Sequence, residues 1–516
     1  MKETLIVKAH LVSFQLLNMR KTLINIDSML RYTYIEMSTC RKEIIVKKYH
    51  AIVIGMGPAG MAVSAMGAAL GLDILAVEER KVGGECLNVG CIPSKALLKA
   101  SEVNFSAFDM KQFGIDSDCD LTTDTHKAME VVRGKVDKIN NKKMMKAFDR
   151  VKLLLNEGPA EFIDRYTIVV NGKKYRAKKI FIATGTEPAI PPIPGIEKLT
   201  GDQLLTNLNI FNLEKFPHKM TILGGGAIGT EMAQAFSRLG TKVTIVQMGG
   251  HLLPAGDKEA GDLLQTMFEK EGIKVFNSTR IEKIEVKKKE ITTYTDKGNF
   301  VSEKILVAAG RKPVLDSLKL EKAGVRYTKQ GIVVDRHMRT NIGNIYAVGD
   351  CNGLALLSHA AMHQGMLALM NAINPTPFKF KRNKYYVPWS VFTKPEVAQV
   401  GLKEHEAREK RLNIEIIKRD FVTYGRTVAD GHPEGFIKII TNKKGRILGV
   451  TIVGESASEI IHEWILAIQK KLTMFDIMMM QHSFPTIAMI NKMAAEDWMM
   501  KKMENPSIRK IARFFM

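Results

Sequence analysis

The segment GGECLNVGCIPSK (83–95) holds two of the chain's five cysteines, Cys86 and Cys91, with Lys95 close behind them. Two neighbouring cysteines can bind a metal, clamp a fold, or form a disulfide that opens and closes. Neither cysteine belongs to a Cys/His set at zinc spacing, and no Cys-x-x-Cys occurs elsewhere, so no metal site is expected. Cys40, Cys119 and Cys351 stand alone. Five cysteines in 516 residues are too few and too odd for a secreted disulfide scaffold. A cytoplasmic, reducing compartment is therefore expected, where a structural clamp is disfavoured. A redox pair remains. A four-residue gap at an irregular helix start can bring two sulfurs within bonding reach. A helix N-terminus and Lys95 would favour a thiolate.

A redox pair needs a source of electrons. AIVIGMGPAG (51–60) is an apolar strand running into Gly55-x-Gly57-x-x-Gly60 and a small-residue helix. The first glycine allows the tight turn, the second lets backbone approach a pyrophosphate, and the third lets helix and strand pack closely. The next strand, DILAVEE, carries Glu78 where an acid gripping ribose hydroxyls is expected. The pattern recurs in KMTILGGGAIG (219–229) as Gly224-x-Gly226-x-x-Gly229. There the following strand, KVTIVQM, ends at Gln247, which is neither the acid that marks NAD nor an arginine for a 2′-phosphate. The reading leans to NADH, with NADPH left open. Two dinucleotide folds suggest FAD and a nicotinamide, hence a hydride route between them. NIYAVGDCNG (344–353) ends a third apolar strand at Asp350, suited to accept a hydrogen bond from a sugar-alcohol hydroxyl.

Composition places these elements in an ordinary globular chain of two to four domains, 45% hydrophobic. The net charge is +22, but it is spread along the chain, and no RNA-binding aromatic motif or helix-turn-helix accompanies it. No nucleic-acid partner is expected. The run 51–77 lacks Lys and Arg, yet its glycines and Asp73 argue for a strand, turn and helix rather than a membrane span. Residues 1–46 read as a leader, either a disordered arm or a start-site artefact, since Met37 opens a more natural beginning.

GMGPAG, GGECLNVGCIPSK, IATGTEP, GGGAIGTE, AAGRKP and YAVGDCNG occur in the order of the class I flavin disulfide reductases, the pyridine nucleotide-disulfide oxidoreductases. The chain resembles that family from about Lys47 to about Trp498, and looks closest to dihydrolipoamide dehydrogenase. The resemblance implies an α/β homodimer with two Rossmann-like domains and a C-terminal α+β dimerisation domain. The ranges would be 47–190 and 311–380 for FAD and the central domain, 191–310 for NAD(P)H, 381–498 for the interface, and 499–516 for a basic tail. It implies that Cys86 faces substrate and that Cys91 is the charge-transfer thiolate beside the flavin. Lys95 would lie near flavin N5, paired with Glu231. Ala160, Thr184, Gly185 and Gly310 join the cofactor-binding residues.

One segment departs from the family. Its interface domain normally ends in His-x-His-Pro-Thr-x-x-Glu, in which the second His is the base for dithiol substrates and the Glu orients it. Here QHSFPTIAMINK (481–492) keeps His482 at the first position but has Phe484 for the base and Met489 for the Glu. His482 is the one candidate to replace the base, with a packing role as its alternative. A poor dihydrolipoamide dehydrogenase is expected, with a sulfur compound, quinone or protein as acceptor. A mercuric-reductase-like role is weakened because no cysteine follows Cys351. A flavin-binding module with vestigial catalysis is the alternative of another class.

In the interface region, SEIIHEWILAIQKKLTMFDIMMM (458–480) has a helical apolar pattern, His462 reads as a packing or surface residue, and Met478–Met480 as core. The tail NPSIRKIARFFM (505–516) places Ile508, Ile511, Ala512 and Phe515 on one helical face beside Arg509, Lys510 and Arg513. A helix capping its own domain is favoured there over a membrane-surface anchor.

Overall fold

The computed structural model describes residues 47–115, 123–140 and 145–516, so the leader, Cys40 and Cys119 lie outside the described residues. The first sheet is built on the strand Lys48–Ile54, flanked in parallel by Ile74–Glu78 and Lys173–Ile182. Ile74–Glu78 is buried along its whole length, as a parallel strand covered on both faces must be. The end of Lys173–Ile182 pairs in parallel with Ile345–Ala347. The sheet is therefore completed by chain that returns some 160 residues later.

Between these passages lies a second parallel sheet, Lys274–Phe276, Lys242–Val246, Lys219–Leu223, Lys304–Val307 and Leu204–Leu205 in spatial order. The chain leaves the first fold through Thr186–Pro188 and returns through Arg311–Pro313, and these two crossings pair antiparallel. A third sheet of five antiparallel strands follows, ordered Trp389–Val391, Glu396–Gly401, Ile447–Gly454, Phe436–Asn442, Ile414–Asp420. Helices Ala457–Lys470 and Met489–Met503 contribute Ile461, Trp464 and Ala494 to its core. The architecture is α/β with two dinucleotide-binding folds and a C-terminal α+β domain.

Three local expectations are corrected. The helical pattern over 458–480 is broken into Ala457–Lys470 and Met474–Met479. Lys471 adopts a left-handed φ of 62°, and Thr473 then caps the second helix: its hydroxyl accepts the Asp476 N–H, and the Asp476 carboxylate accepts the Thr473 N–H. Met479 and Met480 are exposed rather than core, because that short helix turns only Met474 and Ile477 inward. The tail does form a helix, Pro506–Phe515, but every residue of it is exposed. Pro506 cannot continue the preceding helix and holds Asn505 at ψ 125°, which redirects the chain away from the domain it was expected to cap.

Candidate active site

The cysteine pair sits where two helices meet end to end. Gly84–Val89 carries Cys86, Cys91–Asp109 starts with Cys91, and Gly90 at ψ −111° breaks the run between them. A Cβ on Gly90 would stand 2.9 Å from the Glu85 carbonyl oxygen, so the break needs glycine. The Cys86 thiol donates a hydrogen bond to the Cys91 sulfur, which pulls Cys91 down to about 6. The Ser358 hydroxyl, 3.3 Å from Cys91 Sγ, and the Lys95 charge act the same way, while burial and Glu231 oppose them. The same bond, with burial, pushes the Cys86 thiol up. One proton is thus held between two sulfurs, with the anion on Cys91. Cys351 is a contrasting case: complete burial pushes its thiol up to about 12, leaving it unreactive.

Lys95 lies one helical turn beyond Cys91 and faces the same side. Its Nζ is 2.9 and 2.8 Å from the two carboxylate oxygens of Glu231, on the helix Ala227–Arg238. The Glu231 carboxylate also accepts the Phe392 N–H at 3.1 Å, and the Phe392 ring lies 4.4 Å from the ammonium. Three parts of the chain therefore converge on one ion pair.

A cavity of about 2010 Å³ opens from both cysteines and this pair. Gly55, Gly57, Glu78, Ala160, Thr184, Gly185 and Asp350 all line it. Gly55 has φ 97°, and the Cβ it lacks would strike the Ala183 carbonyl; Gly60 stands equally tight against the Gly55 carbonyl. Gly57 meets only the Gly84 Cα at 3.9 Å, which leaves its cavity side open at a helix N-terminus. Glu78 accepts the Met56 and Arg80 N–H groups at 2.7 and 2.9 Å, fixing its carboxylate at the turn. Burial pushes the Asp350 carboxyl up to about 6, and its hydrogen bond from Thr186 is long, at 3.5 Å. An under-bonded, half-buried carboxylate beside an open glycine turn fits a dinucleotide bearing a polyol, as FAD does.

The second glycine turn has the same geometry outside that cavity. Gly229 packs on the Gly224 carbonyl, while Gly226 and Gly310 face open space. Gln247 accepts the Gly225 N–H at 2.9 Å, the place Glu78 takes on Met56 N.

Sequence reading missed a polar hub beneath the cysteines. The Arg311 guanidinium ion-pairs with Glu85, donates to Thr186 Oγ1 at 2.7 Å and to its carbonyl at 3.0 Å, and touches Asn207. Asn207 in turn donates to Glu85 at 3.0 Å. Glu85 and Arg311 both stand in the motifs quoted above, but 226 residues separate them. Ser358 carried no signal at all. His482 lies away from the cavity: its Nε2 is 3.1 Å from Glu463, its Nδ1 is buried without a partner among the described residues, and its side chain is 6% exposed. Phe484, two residues on, is 76% exposed.

Two dinucleotide turns around a thiol–thiolate pair, with a lysine bridging them, are the hallmarks of a nicotinamide-linked flavoprotein disulfide reductase. The sequence profile of the pyridine nucleotide-disulphide oxidoreductases matches residues 49–365, and that of their dimerisation domain matches 387–494. The chain is 37% identical over 463 residues to a dihydrolipoyl dehydrogenase of Thermus scotoductus, covering 86% of this chain and 96% of that one. It is 32% identical over 435 residues to a mercuric reductase of Bacillus cereus, covering 83% and 68%. Its fold is similar to the HOCl-induced flavoprotein disulfide reductase RclA of Escherichia coli, with a TM-score of 0.78 at 26% identity, over 87% of this chain and 99% of that one. The chain belongs to the pyridine nucleotide-disulphide oxidoreductase family. Membership implies FAD and a nicotinamide cofactor, and the dimerisation domain implies a homodimer. Among the described residues no helix is long and apolar enough to cross a membrane.

Proposed function

We propose that the protein is a cytoplasmic, NADH-linked reductase that stores two electrons in the Cys86–Cys91 pair and delivers them from Cys86 to an acceptor other than lipoamide. The observation that carries this reading is Phe484. It stands exposed at the position of the family's proton-transfer histidine, and a benzyl side chain holds no proton. Gly55, Gly57, Glu78, Ala160, Thr184, Gly185 and Asp350 would hold FAD, which would supply two-electron transfer between the nicotinamide and the cysteine pair. Gly224, Gly226, Gly229, Gln247 and Gly310 take the nicotinamide cofactor. Gln247 already spends its carbonyl oxygen on Gly225, and no Arg or Lys stands from Gln247 to Pro254 to meet a 2′-phosphate, which favours NADH.

The residues divide the work as follows. With a disulfide acceptor, Cys86 attacks one sulfur as its proton passes to the departing sulfur, so a mixed disulfide forms and the first half of the acceptor leaves as a thiol. Cys91, already anionic, then attacks Cys86 Sγ. The Cys86–Cys91 bond forms, the second acceptor thiolate leaves, and two electrons have moved. Two electrons that a bound nicotinamide would supply reopen the bond. Lys95 and Glu231 hold fixed charge beside Cys91 throughout. His482 is a loop anchor in this scheme: its exposed edge is nearly gone, and Glu463, which also takes a bond from Asn491 at 2.8 Å, occupies its Nε2.

A steady-state assay with dihydrolipoamide and NAD tests this reading, beside NADH-driven reduction of small disulfides, quinones and thiophilic metal ions. Slow turnover with the dithiol and faster turnover with another acceptor is expected. Dihydrolipoamide turnover in the ordinary enzyme range of about 10 s⁻¹ or more contradicts it.

A further inference from the structure

The helix Pro506–Phe515 is fully exposed, and its apolar residues have no protein to cover them. Ile511 is 59% exposed, and Phe514 and Phe515 are 83% and 80% exposed, their rings crossing edge to face at 5.3 Å. At 100° per residue, Ile508, Phe515, Ile511 and Ala512 share one side. Arg509, Lys510 and Arg513 share the opposite side, and none has a carboxylate partner among the described residues. Asn505 caps the helix through the Ser507 N–H at 2.9 Å, and Pro506 sets its first turn, so the element is specified locally rather than by packing.

A narrow apolar stripe between cationic flanks does not suit a second copy of this chain. A two-fold contact would face like charges across it, in a protein already at +22. It suits a surface that is apolar below and anionic above. We propose that Pro506–Phe515 is a peripheral anchor that lies in the headgroup region of an anionic lipid leaflet. Ile508, Ile511 and Phe515 enter the acyl boundary, and Arg509, Lys510 and Arg513 stay among the phosphates. Lys501, exposed on the preceding helix, adds to the same field, whereas Lys502 is occupied by Glu415 at 2.7 Å. The inference is independent of which acceptor Cys86 serves.

The test is flotation of the purified full-length holoprotein with vesicles of pure phosphatidylcholine, or of phosphatidylcholine with about 30% phosphatidylglycerol, at about 0.1 M salt. Binding to the anionic vesicles alone is expected. Arg509→Gln, Lys510→Gln and Arg513→Gln together lower the partition constant on the order of 100-fold, since each basic group near such a surface contributes roughly fivefold. Ile511→Asp with Phe515→Asp abolishes flotation while flavin content stays unchanged, because the helix carries none of the fold's core. Absence of flotation with anionic vesicles overturns the proposal, as does binding that the variants leave intact. A fall in solution mass on Phe515→Asp also overturns it, by assigning the stripe to a second copy.

Discussion

Lys95 Nζ lies 2.8 Å from Glu231 Oε2, and this bond ties the helix behind the cysteine pair to the first helix of the second dinucleotide fold. The pair acts on Cys91 with opposite signs, the lysine lowering and the glutamate raising its ionisation point. Lys95→Met therefore moves Cys91 above about 6, and Glu231→Gln moves it below, both read from thiolate absorbance of the reduced protein against pH. Both variants also lose positioning, and reduction of the cysteine pair by NADH slows by roughly 10- to 100-fold.

Cys86 sets the state of its neighbour. Its hydrogen bond is the largest cause of the Cys91 depression, so Cys86→Ala returns Cys91 from about 6 toward the ordinary thiol value near 9. The sign for stability follows from linkage. A folded-state value below the unfolded one adds stability that is complete above about 9 and is lost as pH falls through about 6. Denaturant titrations of the reduced protein between pH 9 and 6 show this loss in the wild type and much less of it in Cys86→Ala.

The interface loop gives a gain-of-function test. Phe484→His with Met489→Glu rebuilds the missing pair and raises dihydrolipoamide turnover about 10- to 100-fold, up to the lower end of the 10²–10⁴ a positioned base supplies. His482→Ala leaves that turnover and its pH profile unchanged. It lowers stability by about 1–3 kcal/mol, because Glu463 loses a buried partner.

Much of this site was legible because its chemistry is local. Glycine turns, the Cys86–Cys91 spacing and the acid at Glu78 are each written within a few neighbouring residues, and strand periodicity places them at sheet ends. What was not legible depends on contacts distant in sequence. Arg311 reaches Glu85 across 226 residues, and Ser358 meets Cys91 across 267, through folding that no spacing rule encodes. The tail shows the reverse failure. Its amphipathic pattern named a helix correctly, but periodicity says only that a face is apolar, and Pro506 directs that face off the domain.

Two glycines separate cofactor fit from folding. A Cβ on Gly57 meets nothing closer than the Gly84 Cα at 3.9 Å, so Gly57→Ala folds and loses flavin, because its methyl group occupies space the cofactor needs. A Cβ on Gly60 overlaps the Gly55 carbonyl, so Gly60→Ala costs on the order of 1–3 kcal/mol of stability as well as flavin. Flavin absorbance per chain and thermal melting distinguish the two.

The central claim is that electrons from the nicotinamide come to rest on Cys86 and Cys91. The most direct measurement counts free thiols in denatured holoprotein, oxidised beforehand, with and without one equivalent of NADH under anaerobic conditions. Two additional thiols per chain are predicted for the wild type, and none for Cys86→Ser or Cys91→Ser. An unchanged count in the wild type, with NADH nevertheless consumed, contradicts the account.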